Sequence, residues 1–333
     1  MRPEELKDAL EHLLIQKVPI FLWGAPGIGK SSIVRQIAKE RGIGFLDLRL
    51  TLLDPTDLRG IPFFDQESKK AIWASPAFLP DGSEPEGILF LDELNTAAPM
   101  VQASAYQLIL DRQIGEYKLP EGWAIVAAGN RESDRGVVFR MPAPLANRFV
   151  HLEMEIDAKQ WCRWAVKEGF EPSVVGFISA RPDALFSFDA KSYHRSFATP
   201  RSWEYVDKIL KSKPKSEQLM PLVAGSIGED LAAEFLSWRA AAGELPDLDA
   251  ILRGEESMVP KDTNALHVLS SMILQRVEPD IPKEALENLL RYLLKLPGEF
   301  SVMVVGELQR RGVLLERAAG WREWIKEFGY LLA

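Results

Sequence analysis

Three short stretches combine residue types and spacings that suit chemistry on a phosphate. The first is FLWGAPGIGKSS, residues 21–32, with the pattern Gly24-x-x-x-x-Gly29-Lys30-Ser31. Glycines let backbone N–H groups turn inward around a β-phosphate, and a helix beginning at Lys30 would add positive potential from its N-terminus. Lys30 would reach the β- and γ-phosphates, and Ser31 would place its hydroxyl on Mg²⁺. Ala25, Pro26, Gly27, Ile28 and Ser32 complete the loop. At ordinary glycine content such a match arises by chance in roughly one chain of this length in a hundred.

The second stretch is GILFLDEL, where Ile88 to Leu91 run straight into Asp92 and Glu93. A buried strand ending in two carboxylates is costly unless a cation waits there. Mg²⁺ with its waters would supply the charge: Asp92 would hold it, and Glu93 would polarise an attacking water as general base. Such a strand end is a weak sign alone and a strong one about sixty residues after a phosphate loop. A carboxylate beside the metal suits hydrolysis better than transfer to a bound acceptor. The third stretch, WAIVAAGNRESD, ends a strand at Gly129-Asn130. The Asn130 amide would orient water or touch the γ-phosphate, or it simply forms a turn. Arg148, in ANRFVHLEM, reads either as a surface ion pair or as a finger reaching a neighbour's γ-phosphate. Arg140 is a second candidate, and Arg201, in TPRSWEYV, would fold onto the γ-phosphate from a lid.

These groups need elements to carry them. VPIFLWG, GFLDLRL, GILFLDE, WAIVAAGN and RFVHLEM are near-continuous apolar runs separated by helical patterns. That order predicts a parallel sheet covered on both faces, an α/β layer spanning residues 1–155. DRQIGEYKLPEGW reads as a hairpin over about 113–122. From about residue 156 the apolar spacing turns helical, as in DAKQWCRWAVKEG, TPRSWEYVDKILKS, GEDLAAEFLSWRAAA and PKEALENLLRYLLKL. LPDLDAILRGE predicts a loop with a short helix, and SKPKSEQ a polar connector. No internal repeat or low-complexity tract is evident.

The bulk numbers narrow the classes. The chain has 333 residues, 47% hydrophobic and 26% charged, enough for about two domains with real cores. Its net charge of −8 argues against a protein that coats nucleic acid. One cysteine, Cys162, rules out an intramolecular disulfide framework and reads as a small apolar residue on a helix. His12, His151, His194 and His267 form no ligand-spaced pair and read as structural or surface residues. No stretch is long enough to span a membrane, and MRPEELKDALEHLL is charged and amphipathic, unlike a secretory signal. The expected location is the cytoplasm.

The order of these motifs resembles the AAA+ ATPases and, more narrowly, their MoxR branch, over about Pro3 to Gly254. The resemblance implies a P-loop α/β core with a parallel sheet flanked by helices, followed by an all-helical lid. Residues 1–155 would form the core, 156–260 the lid, and 261–333 extra C-terminal helices that extend the lid or dock a partner. Gly24, Gly29, Lys30 and Ser31 match Walker A, and Asp92 and Glu93 match Walker B. Asn130 matches sensor 1, Arg148 the arginine finger and Arg201 sensor 2. Residues 53–80 lie where the branch carries an insert within its second helix, and 113–122 where it carries a pre-sensor hairpin. Phe63, Phe64 and Trp73 of the insert are expected to pack its own small core rather than to face a pore. The chain departs from the pattern in NRESDRG, where Arg131 and Arg135 become candidates for an inter-subunit contact, and in Asn147, where the branch often has Asp.

The resemblance implies ATP and Mg²⁺ as cofactors, a nucleotide between adjacent subunits of a ring, usually a hexamer, and partner proteins with von Willebrand factor A domains. A ring ATPase that remodels a partner uses every motif above. A nucleic-acid-translocating or restriction-type motor would need a basic, aromatic pore, and the insert FFDQESKK is mixed in charge. A small-molecule kinase would need an acceptor pocket and no ring. A nucleotide-gated scaffold would not need Glu93.

Overall fold

The structure is a computed structural model that describes residues 1–67, 69–131, 134, 139, 141–188, 195–241, 245–256 and 258–331. Arg135, Arg140 and His194 lie outside the described residues. The chain divides into two compact units, Met1–Asp157 and Ala158–Phe188 with the described residues from 195 onward.

The strands of the first unit are β1 (Ile20–Trp23), β2 (Gly44–Arg49), β3 (Ile61–Asp65), β4 (Lys70–Ala74), β5 (Gly87–Asp92), β6 (Gln113–Ile114), β7 (Tyr117–Lys118), β8 (Trp123–Gly129) and β9 (Val150–Glu153). Five of them form one sheet in the order β2-β5-β8-β1-β9, every pair parallel. The helices are α1 (Pro3–Ile15), α2 (Lys30–Arg41), α3 (Pro55–Arg59), α4 (Pro99–Asp111) and α5 (Ala143–Ala146). Leu89, Leu91, Ile125 and Ala127 share a core with Val101, Ala105 and Leu108 of α4. The alternate residues Ile88, Phe90 and Val126 are equally buried and, by the period of two, face the other way, where α2 packs on β2 and β5. Burial on both faces is why these strands read as unbroken apolar runs.

The five expected strands are all present in this sheet. Between β2 and β5 the chain forms α3 and the antiparallel hairpin β3–β4, with Phe63 opposite Ile72. Here the structure corrects the expectation that the insert packs its aromatic residues inside. Phe63 is 51% and Phe64 63% exposed, and only Trp73 is half-buried. A two-stranded hairpin has no second layer to cover either face. The second hairpin, β6–β7, falls within the expected 113–122 segment.

The second unit is all helical: α6 (Ala158–Lys167), α7 (Pro172–Ala180), α8 (Pro200–Lys211), α9 (Ser216–Ile227), α10 (Glu229–Ala241), α11 (Leu248–Arg253), α12 (Thr263–Arg276), α13 (Lys283–Leu293), α14 (Gly298–Arg310) and α15 (Gly320–Phe328). One apolar cluster runs through it, from Trp161 and Phe177 to Leu289, Val304 and Trp324. Among the described residues no helix is long and apolar enough to cross a membrane.

Candidate nucleotide site

The loop of residues 24–29 joins the end of β1 to α2. Gly29 caps α2 at φ +102°, a left-handed conformation that glycine adopts without strain. Lys30 follows as the first residue of the helix and is only 9% exposed. Its ammonium donates to the carbonyls of Gly24 (2.7 Å) and Ala25 (3.0 Å) and to Asn130 Oδ1 (3.2 Å). Two sequence candidates a hundred residues apart, Lys30 and Asn130, thus meet where β1 and β8 end side by side.

Asp92 is the last residue of β5, beside Arg49 of β2. Burial holds its carboxyl above the usual range, nearby Asp47 and Glu93 add to the rise, and Lys30 opposes it. Glu93 takes a left-handed turn (φ +58°) that carries the chain out of the sheet, and its N–H donates to Asp92 Oδ1 at 3.0 Å. The hydroxyl of Thr51, just beyond β2, donates to the Glu93 carboxylate. Among the described residues no group of three or more His, Cys, Asp or Glu side chains could hold a metal by itself. Mg²⁺ normally takes one or two protein ligands with phosphate oxygens and water. Ser31 and Asp92 fit that need, because a half-buried carboxylate crowded by two others is a place where a divalent cation relieves charge.

Asn130 is held from behind by Asn95, which the sequence reading passed over. The Asn95 carboxamide donates to Asn130 O (2.8 Å) and accepts from Asn130 N (3.3 Å). Thr51 was passed over as well. Neither has a local signal, since each acts on a residue about forty positions away.

Arg148 follows α5 and is exposed; its N–H donates to Leu145 O (2.9 Å), but its guanidinium has no hydrogen bond or ion pair to any described residue. Arg131, by contrast, is tied within its own chain to Asp134 (3.3 Å) and Glu153 (3.1 Å). Burial works against its charge, but those hydrogen bonds outweigh it and raise its pKa. Trp23 Nε1 donates to His151 Nδ1 (2.9 Å). An indole can only donate, so the other nitrogen, Nε2, carries the proton and donates to Ala146 O (2.8 Å). The imidazole thereby links the strand before the phosphate loop to the segment before Arg148. Arg201 occupies the first turn of α8 in the helical unit, exposed, behind a cap in which the Thr199 hydroxyl accepts from Ser202 N. Burial raises the pKa of the Glu204 carboxyl, and the charges of Lys208 and Arg201 oppose that rise.

A parallel sheet in this order, a glycine loop closing on a lysine, and a strand ending in Asp-Glu fit the pattern of an AAA+ core. Residues 19–151 match the model of the "ATPase family associated with various cellular activities (AAA)". Over those residues the first unit is similar to the AAA+ ATPases and, within them, to MoxR. The chain is 28% identical over 159 residues to Protein MoxR of Paracoccus denitrificans, covering 46% of this chain and 45% of that protein. It is 29% identical over 109 residues to the Holliday junction branch migration complex subunit RuvB of Parabacteroides distasonis, covering 32% of this chain and 25% of that one. The chain thus matches less than half the length of either relative. A solved structure of the Thermotoga maritima RuvB branch migration motor aligns at 17% identity over 98% of this chain and 86% of that one, with a TM-score of 0.38, too low to carry an argument.

Proposed function

We propose that the chain binds ATP with Mg²⁺ on residues 24–32 and hydrolyses it within a cytoplasmic ring, a hexamer, whose cycle remodels or assists assembly of a partner protein. Lys30 and the loop hold the phosphates, Glu93 activates water, Asn130 orients it, and Arg201 acts from the helical unit. Mg²⁺, held by Ser31 and Asp92, would offset the phosphate charge when bound. The observation that carries this reading is Arg148, exposed and unpaired among the described residues next in sequence to a well-equipped strand edge. A guanidinium kept free in this way suits a neighbouring subunit's γ-phosphate. Residues 156–260 serve as the lid, and those from 261 onward extend it or dock the partner. The resemblance to the MoxR branch favours a partner with a von Willebrand factor A domain.

Mass in solution with and without ATP tests the ring. The expected result is a rise from 37.4 kDa to a closed multiple on adding ATP, with phosphate release following assembly. Turnover by a dilute monomer would defeat it. The similarity to a RuvB subunit favours one second reading, a DNA motor. The net charge of −8 and the mixed charge of the insert speak against it. Hydrolysis that rises on adding DNA would support the motor, and co-purification with a von Willebrand-type protein would support the remodeller.

A further inference from the structure

Asn95 is 1% exposed, and both ends of its carboxamide are spent on one residue, Asn130. The reason lies in the sheet. β5 and β8 pair in parallel as far as Leu91 and Ala127, and then Glu93 turns β5 away. One more backbone bond, from Leu94 N to Ala128 O (3.0 Å), follows the turn. Among the described residues, no strand lies beside the next positions of β8 on that edge. An amide side chain has the donor and acceptor of a peptide group, and Asn95 places them where the missing strand's would have been. Gly129 makes room: a Cβ there would stand 2.2 Å from Asn95 Oδ1 and 2.7 Å from Phe21 Cζ. With its backbone fixed, Asn130 sends Oδ1 to Lys30 Nζ at 3.2 Å.

We propose that Asn95 is a positioning residue that acts through Asn130, substituting for a strand so that the Asn130 amide stays aimed at the phosphate end of the loop. The inference rests on the hydrolytic reading above only for its effect on rate. The holding itself is a property of the fold. Asp keeps one of the two bonds and Ala neither, so N95D should sit between wild type and N95A.

The test has two arms, run on the full chain. In the first, amide hydrogen exchange is followed by mass spectrometry over residues 123–131. N95A should speed exchange at 129–130 while the body of β8 stays protected. In the second, N95A should lower kcat by about a hundredfold, as misplacement of a reacting group does, and change affinity for a fluorescent ATP analogue by no more than about threefold, a loss confined to the transition state. N95A/N130A should be no slower than N130A. Unchanged exchange overturns the holding. Raised exchange with a wild-type kcat, or losses that multiply in the double variant, overturns the action through Asn130. If N95A does not fold, N95D carries both arms, with the same outcomes deciding. A wild type that binds ATP without hydrolysing it, while exchange responds as expected, faults the hydrolytic reading and leaves the holding intact.

Discussion

The hydroxyl of Thr51 donates to the carboxylate of Glu93. The group proposed to activate water is therefore held by a residue just past the end of the neighbouring strand. A hydrogen bond from Thr51 draws on the same carboxylate that would take the proton of the water, and so weakens it as a base. Thr51→Ala should raise basal hydrolysis, by no more than about fivefold, since a hydrogen bond at an exposed site is worth ~1 kcal/mol. Steady-state phosphate release checks this, and a fall in rate would mean that Thr51 orients Glu93 for the reaction instead.

Removing the base and removing the phosphate anchor should part company. Glu93→Gln keeps the shape and should retain ATP while losing hydrolysis by about a hundredfold or more. Lys30→Ala should lose nucleotide binding itself, because Lys30 carries the charge nearest the loop carbonyls. Equilibrium binding beside turnover separates the two. Normal hydrolysis by Glu93→Gln would unseat the base assignment.

Arg148→Ala should bind ATP normally and lose turnover by about a thousandfold, the usual scale for a supplied guanidinium. Mixed with Glu93→Gln subunits, it should recover part of the activity, because each variant then supplies what the other lacks. No recovery on mixing would place Arg148 outside a shared site.

Asp92 carries a stability prediction with a definite sign. Burial raises its carboxyl pKa, so the folded chain holds that proton more tightly than the unfolded chain does. Its contribution to stability is greatest below the unfolded value, near 4, and declines as pH rises through the folded value. At neutral pH without nucleotide, Asp92→Asn should therefore raise Tm, and it should remove the Mg²⁺ dependence of ATP binding. A lower Tm for the variant would show that Asp92 is stabilised as the anion.

The exposed pair on the insert offers a control. Phe63→Ser and Phe64→Ser should change stability by less than about 0.5 kcal/mol, the usual range for surface substitutions. A larger loss in denaturant unfolding would mean that these rings are covered in the isolated chain.

The first unit was largely legible in the sequence, because each buried strand shows as an unbroken apolar run and the loop's glycines and lysine are contiguous. The polar contacts that set the site were not. Asn95 and Thr51 reach their partners 35 and 42 positions away, and a pairing of that kind leaves no periodic trace. In the second unit, expected to be all helical, three helices were not picked out one by one. In α7 six consecutive residues, Ser173 to Ile178, are buried, so no polar face marks the period, and Pro221 interrupts α9. α14, GEFSVMVVGELQR, has two glycines and three valines where helix formers would be expected. In each, packing overrides local preference.

The apolar cluster that joins Phe177 and Trp203 to Leu289, Val304 and Trp324 has a practical consequence. The last seventy or so residues cannot be trimmed like a tag, because cutting near residue 260 would strip α12 from α7, the helix that packs against α8 and its Arg201. Whatever grips the C-terminal end of this molecule is therefore gripping the same solid piece that carries Arg201.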